Sequence, residues 1–117
     1  DCGKKIAKKF RIKNIKFITT SATKIPLKNN SQNITLARRT GLSHGKQWIK
    51  VLNEVQRLLV KKDSSRFVYT VKASLSGPIK QIKKQLKNHG LEFISLYNFK
   101  ECDGTRIAMI ISKPFLD

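Results

Sequence analysis

The sequence predicts an α+β fold, a two-layer βαβαββ sandwich in which a four-stranded mixed sheet carries two helices on one face. Three observations predict it. Two segments repeat apolar residues at helical spacing, one through Trp48, Leu52, Val55 and Leu59 and one through Ile79, Ile82 and Leu86. Short β-branched and aromatic runs flank both segments, and clusters of Gly, Pro, Ser, Asp and Asn separate them. A helix between two strands implies parallel strands and a right-handed crossover, whereas a short turn between the last two strands implies an antiparallel pair.

The elements follow in order. Residues 1–10 are a basic lead-in with little to bury. Residues 11–20 (RIKNIKFITT) read as the first strand, with Ile12, Ile15, Phe17 and Ile18 as its apolar members. Residues 21–45 show neither period and form a long basic loop containing Arg38 and Arg39. Such a loop either orders against a ligand or is a plain insertion. The clearest helix spans 46–62, with Ser43 placed to cap it and Lys61 and Lys62 at its carbonyl end, where the dipole favours cations. Trp48 reads as a core anchor of that helix.

Asp63-Ser64-Ser65 make a turn into the strand 66–73, where Phe67, Tyr69 and Val71 point one way and Val68, Thr70 and Lys72 the other. Pro78 opens the second helix and Gly90 stops it. Residues 91–97 form a strand with apolar residues on both faces. Residues 98–104 turn into the last strand, 105–112, which Pro114 closes. The organisation is thus the lead-in 1–10 followed by one domain over 11–117, a length that suits a single core.

Charge narrows the function. Lys and Arg number 25 against 7 acids, a formal net charge of +18. Self-repulsion of that size opposes a compact state, and a polyanion relieves it. Nucleic acid is the polyanion that rewards it most, because each phosphate contact releases counterions. A basic face kept for solubility and an acidic membrane surface are the competing readings. No apolar run is long enough to span a bilayer, and no basic amphipathic helix has a bulky aromatic face, so no membrane partner is expected.

The chemistry-bearing residues are sparse. Cys2 and Cys102 lie far apart without a CxxC, and His44 and His89 are not spaced as ligands with either, so no metal site is expected and the cysteines read as free thiols in a reducing compartment. There is no glycine-rich phosphate loop, GxSxG elbow or HExxH, and Glu54, Glu92 and Glu101 have no neighbouring histidine. The expectation is a protein with no catalytic residues, no cofactor and no small-molecule substrate. Lys80, Lys83, Lys84 and Lys87 on the second helix, with Lys72 on a strand, are placed to meet phosphates. The sequence begins at Asp1 rather than at a methionine, so a preceding piece, such as an organellar transit peptide, is expected.

Two stretches carry a resemblance. The closing DGTRIAMIISKP and the stretch RLLVKKDSSRFVYTVKA are similar to the final hairpin and the helix–turn–strand of the C-terminal domain of bacterial and organellar translation initiation factor 3, over about residues 46–112. The resemblance implies a non-enzymatic RNA binder acting on the small ribosomal subunit and its ribosomal RNA in translation initiation, in a mitochondrial or other organellar matrix. By that likeness Arg57, Lys72 and Lys84 match basic positions that face small-subunit RNA. The chain departs from the family at Ala73-Ser74-Leu75, where the family has glycine and arginine, and at Thr105, where the hairpin arginine moves to Arg106. A weaker likeness joins VYTVKASLSGPIKQIKKQLKNHGLEFISL to the family of small-subunit ribosomal protein eleven. The expected RNA-binding set is Arg38, Arg39, Arg57, Lys72, Lys80, Lys83, Lys84, Lys87 and Arg106. The alternatives are a permanent structural protein of an organellar small subunit and, in a different class, an RNA-processing enzyme.

Overall fold

The computed structural model describes residues 2–11, 13, 23–37 and 47–116 of the chain. Its elements are α1 (Cys2–Lys9), β1 (Ile34–Ala37), α2 (Trp48–Leu58), β2 (Arg66–Lys72), a single 3-10 turn at Ala73–Leu75, α3 (Ile79–Asn88), β3 (Leu91–Lys100) and β4 (Arg106–Pro114). The protein is an α+β fold with a four-stranded mixed sheet and α2 and α3 on one face.

The order across the sheet is β1-β2-β4-β3. β1 pairs parallel with β2, while β4 runs antiparallel to both β2 and β3, so β1, β2 and β3 all point the same way. Alternation along the strands sends Phe67, Tyr69 and Val71 of β2, which the sequence groups on one side, to the helices, together with Ala108 and Ile110 of β4. They meet Trp48, Leu52 and Val55 of α2 and Ile82 and Leu86 of α3 in one core. Trp48, 1% exposed, packs edge-on against Tyr69 at 5.0 Å and tilted against Phe67 at 6.3 Å. The buried Ser112 hydroxyl donates to the Phe67 carbonyl at 3.0 Å, so this polar atom adds no unpaired group to the core.

Several elements differ from the sequence reading. Residues 2–9 of the expected lead-in form a helix. The strand expected over 11–20 lies outside the described residues apart from Arg11 and Lys13. The strand that edges the described sheet is Ile34–Ala37, inside the segment read as loop. Four residues are too few to display a period. Pairing makes them a strand, in the register Ile34↔Arg66 through Ala37↔Tyr69, with the Arg66 amide donating to the Asn33 carbonyl at 2.9 Å.

α2 is shorter than expected because Leu59 turns extended (φ −69, ψ 132). The last carbonyls of the helix are taken up from two sides. The amides of Asn30, Ser31 and Gln32 donate to Arg57 and Leu58, and the Lys61 ammonium donates to the carbonyls of Leu59 and Gln56. Lys61 therefore caps α2 from outside it, and its burial there lowers its pKa. Ile79, read with Ile82 and Leu86 as the apolar stripe of this helix, is 48% exposed at the first position of α3. Gly90, at φ +75, ends α3, and a Cβ there would come within 3.1 Å of Gln56 Cγ. β3 runs on past residue 97 to Lys100, with a bulge between Phe93 and Ser95, and β4 continues to a buried Pro114.

Candidate functional site

Strand direction creates the site. Because β1, β2 and β3 are codirectional, their carboxyl ends, Ala37, Lys72 and Lys100, lie along one edge of the sheet, and β4 enters from that edge at Arg106. In sheets built from parallel strands, ligands gather outside the carboxyl ends, where backbone loops rather than side-chain packing line the surface. Here that edge holds an open recess of about 440 Å³ lined by Ala73, Asn98, Phe99, Lys100 and Arg106. A second recess, of about 420 Å³, is lined by Phe99, Lys100, Glu101, Cys102 and Asp103.

The hairpin that joins β3 to β4 fixes the charges of the edge. The Glu101 amide donates to the Thr105 carbonyl, the Gly104 amide to the Glu101 carbonyl and the Thr105 amide to Asp103 Oδ1, each at 2.9 Å. Gly104 sits at φ +88, a conformation other residues rarely adopt. This tied turn sets Lys100 directly opposite Arg106. Like charges facing each other across a ladder are mutually destabilising, and an anion between them removes the repulsion. Lys72 adds a third exposed cation at the end of β2.

The other expected RNA-binding residues disperse. Arg38 and Arg39 follow Ala37 in the chain and lie outside the described residues. Lys80, Lys84 and Lys87 are exposed on α3, and Lys83 of the same helix lies over the Phe93 ring at 5.3 Å, a cation–π contact. Arg57 has a different occupation. All five of its N–H donors are used inside the chain, on Glu54, the Asn29 side chain and the carbonyls of Leu27 and Ile25. The hydrogen bond from Arg57 holds the Glu54 carboxyl below its ordinary pKa, and the Ile25 amide, donating to the same carboxylate, adds to that. Arg57 thus fastens residues 25–29 to α2 and has no donor left for a phosphate.

The sequence reading missed Asn98, Phe99 and Lys100 because it ended the strand at residue 97 and placed them in a turn. The alternation of the aromatics Tyr97 and Phe99 at strand spacing is the signal that could have extended it. Among the described residues no cluster of three metal-binding side chains occurs. His89 Nδ1 is 3.0 Å from Asn53 Oδ1, and Cys102 is exposed.

No protein-family model and no curated protein sequence matches the chain. Solved structures do. The cyclase SpnF matches with a TM-score of 0.74 at 13% identity over 97% of this chain and 61% of its own. A 1,6-didemethyltoxoflavin-N1-methyltransferase from Burkholderia thailandensis, with 1,6-didemethyltoxoflavin and S-adenosylhomocysteine bound, matches with a TM-score of 0.79 at 10% identity over 97% and 56%. A 16S rRNA (adenine(1408)-N(1))-methyltransferase from Catenulisporales acidiphilia matches with a TM-score of 0.67 at 8% identity over 83% and 57%.

At such identities the likeness is one of fold, and the chain spans about three fifths of the length of these structures. It overturns the resemblance to translation initiation factor 3. With that fall the non-enzymatic reading, the role in translation initiation on the small ribosomal subunit, and the exclusion of a small-molecule substrate. These three structures are of a cyclase and two methyltransferases, and the Burkholderia structure holds small molecules.

Proposed function

We propose that this chain is the substrate-binding part of an RNA-modifying enzyme domain, and that RNA enters at the carboxyl edge of the sheet. One observation carries the reading: three codirectional strands and the tied β3–β4 hairpin set Lys100 and Arg106 on the lining of a recess at the edge where such sheets take ligands, with Lys72 exposed at the end of β2 nearby. The net charge of +18 supports a polyanionic substrate, and the rRNA methyltransferase among the fold neighbours supports RNA.

In this reading Lys100 and Arg106 clasp a phosphate, Arg106 with the fork geometry suited to it. Asn98, whose amide both donates and accepts, faces a base edge. Lys80, Lys83, Lys84 and Lys87 give a second, sequence-indifferent contact to the backbone.

The described residues do not form a cradle for a cofactor such as the S-adenosylhomocysteine of the Burkholderia structure. The turn after β2 holds one glycine, Gly77, where an added Cβ would meet nothing closer than Gln81 Oε1 at 3.6 Å, so no close approach is being kept open. The cations of the edge also offer nothing to a positively charged sulfonium donor. The chemistry assigned to these residues is therefore binding and orientation of RNA.

The experiment incubates the polypeptide carrying this chain with total RNA and S-adenosylmethionine labelled in its methyl group, and in parallel measures RNA binding. The reading expects label in RNA, and a loss of binding of about tenfold or more in Lys100→Glu/Arg106→Glu. Label confined to small molecules, or RNA binding indifferent to the double change, contradicts it.

A further inference from the structure

The face of the sheet opposite the helices holds two aromatic rings in the open. Tyr97 is 55% exposed and Phe99 42%. They occupy alternate positions of β3, so both stand on the same side, about 7 Å apart along the strand. The register sets each at the head of a row. Phe99 lies beside Ile107 and then Lys72, and Tyr97 lies beside Met109 and then Thr70. Ile107 and Thr70, on the same face, are buried at 0% and 7% exposure, so the open part of this face is the β3 margin that carries the two rings. Lys72, exposed two strands away, is about 10 Å from Phe99 across the sheet.

We propose that this face is a platform for single-stranded RNA, with successive bases stacked on Tyr97 and Phe99 and the backbone lying against Lys72 on its way to the carboxyl edge. The proposal rests on the reading of that edge as the RNA site and supplies the path by which a strand reaches it. Every base has a π-face, so ring stacking accepts any sequence, and a cation beside the rings takes the phosphate. The ring separation is about twice the roughly 3.4 Å rise between stacked bases. A single strand can splay to meet it, whereas a duplex keeps its bases stacked on one another and offers neither ring a face. A second copy of the chain fits this surface poorly, since pairing would bring two net charges of +18 together.

The test is fluorescence anisotropy of the whole chain with a labelled oligouridylate of about ten nucleotides and an RNA duplex of equal length. Tyr97→Leu/Phe99→Leu keeps an apolar strand and removes both rings, and circular dichroism verifies that the variant folds. Single-strand affinity is expected to drop at least about tenfold, with duplex affinity changed less than about twofold, while Tyr97→Phe/Phe99→Tyr binds as the wild type does. A Leu pair within about twofold of wild type on the single strand overturns the platform and leaves the RNA reading of the edge standing. Equal losses on single strand and duplex overturn it too, as does a dimer in sedimentation that the Leu pair dissolves. If the wild-type chain binds neither probe, the reading of the edge fails and the platform fails with it.

Discussion

The two faces of the sheet are built from the same strands and have opposite fates. On one, Phe67, Tyr69, Val71, Ala108 and Ile110 vanish beneath Trp48, Leu52, Val55, Ile82 and Leu86. On the other, Leu36 is 68% exposed, and Tyr97 and Phe99 stand in the open. The difference teaches that apolar character along a strand marks two things at once. Where helices cover it, it is core. Where it stays exposed beside cations, as at Tyr97 and Phe99, it is open to a ligand. The double-sided apolar run of β3 belongs to both.

Changes that probe this contrast fall in a sequence from large to small. Trp48→Ala, on the covered face, is expected to cost about 3–5 kcal/mol and Ile82→Ala about 2–5 kcal/mol, read as a lowered midpoint in urea unfolding. A cost below about 1 kcal/mol for both would show that the covered face is not the core. At the edge, Lys100→Glu/Arg106→Glu should weaken RNA binding by about tenfold or more, about 1.4 kcal/mol, with the fold retained. Lys84→Glu/Lys87→Glu on α3 should weaken it less than the edge pair does, because these lysines touch only the backbone of a strand already held elsewhere. The reverse ranking would move the RNA site to the helix. Leu36→Ser, on the open face, should alter stability by no more than about 0.5 kcal/mol.

The last prediction concerns acid. The folded chain lowers the Glu54 pKa, chiefly through the hydrogen bond from Arg57, and the guanidinium stays charged throughout. A lowered carboxyl pKa contributes stability that is present above the ordinary value of 4.5 and is lost as the pH falls through the lowered folded value. The Ile25 amide donates to this carboxylate, so its proton shift should titrate with a midpoint below 4.5. A midpoint at or above that value would mean that Arg57 does not fasten this loop in solution.

Much of the fold was legible. β2 and α3 are bounded by residues with local meaning: Asp63 to Ser65, Pro78, and Gly90 with its positive φ. The alternation of β2 divided its side chains into the two sets that the structure places on opposite faces. What was hidden depends on contacts distant in sequence. Ile34–Ala37 is a strand because β2 lies beside it, and nothing in four residues says so. Arg57 looked like a phosphate ligand because its partners, Ile25, Leu27 and Asn29, are about thirty positions away, in a stretch without periodicity. The placing of β4 between β2 and β3 left no local signal either. The βαβαββ order and two short look-alike stretches, DGTRIAMIISKP and RLLVKKDSSRFVYTVKA, therefore pointed to the wrong family. Of the residues at this edge, Lys72 and Arg106 are among the RNA-binding candidates named from the sequence. Asn98, Phe99 and Lys100 were missed with the end of β3.

The most direct measurement of the central claim is a titration of the isotope-labelled chain with an oligouridylate, followed by amide NMR shifts. The account predicts that the largest changes lie at Lys72 and Ala73 and from Tyr97 through Arg106, with smaller ones along α3. Changes confined to residues 79–88, or none at all, would contradict it.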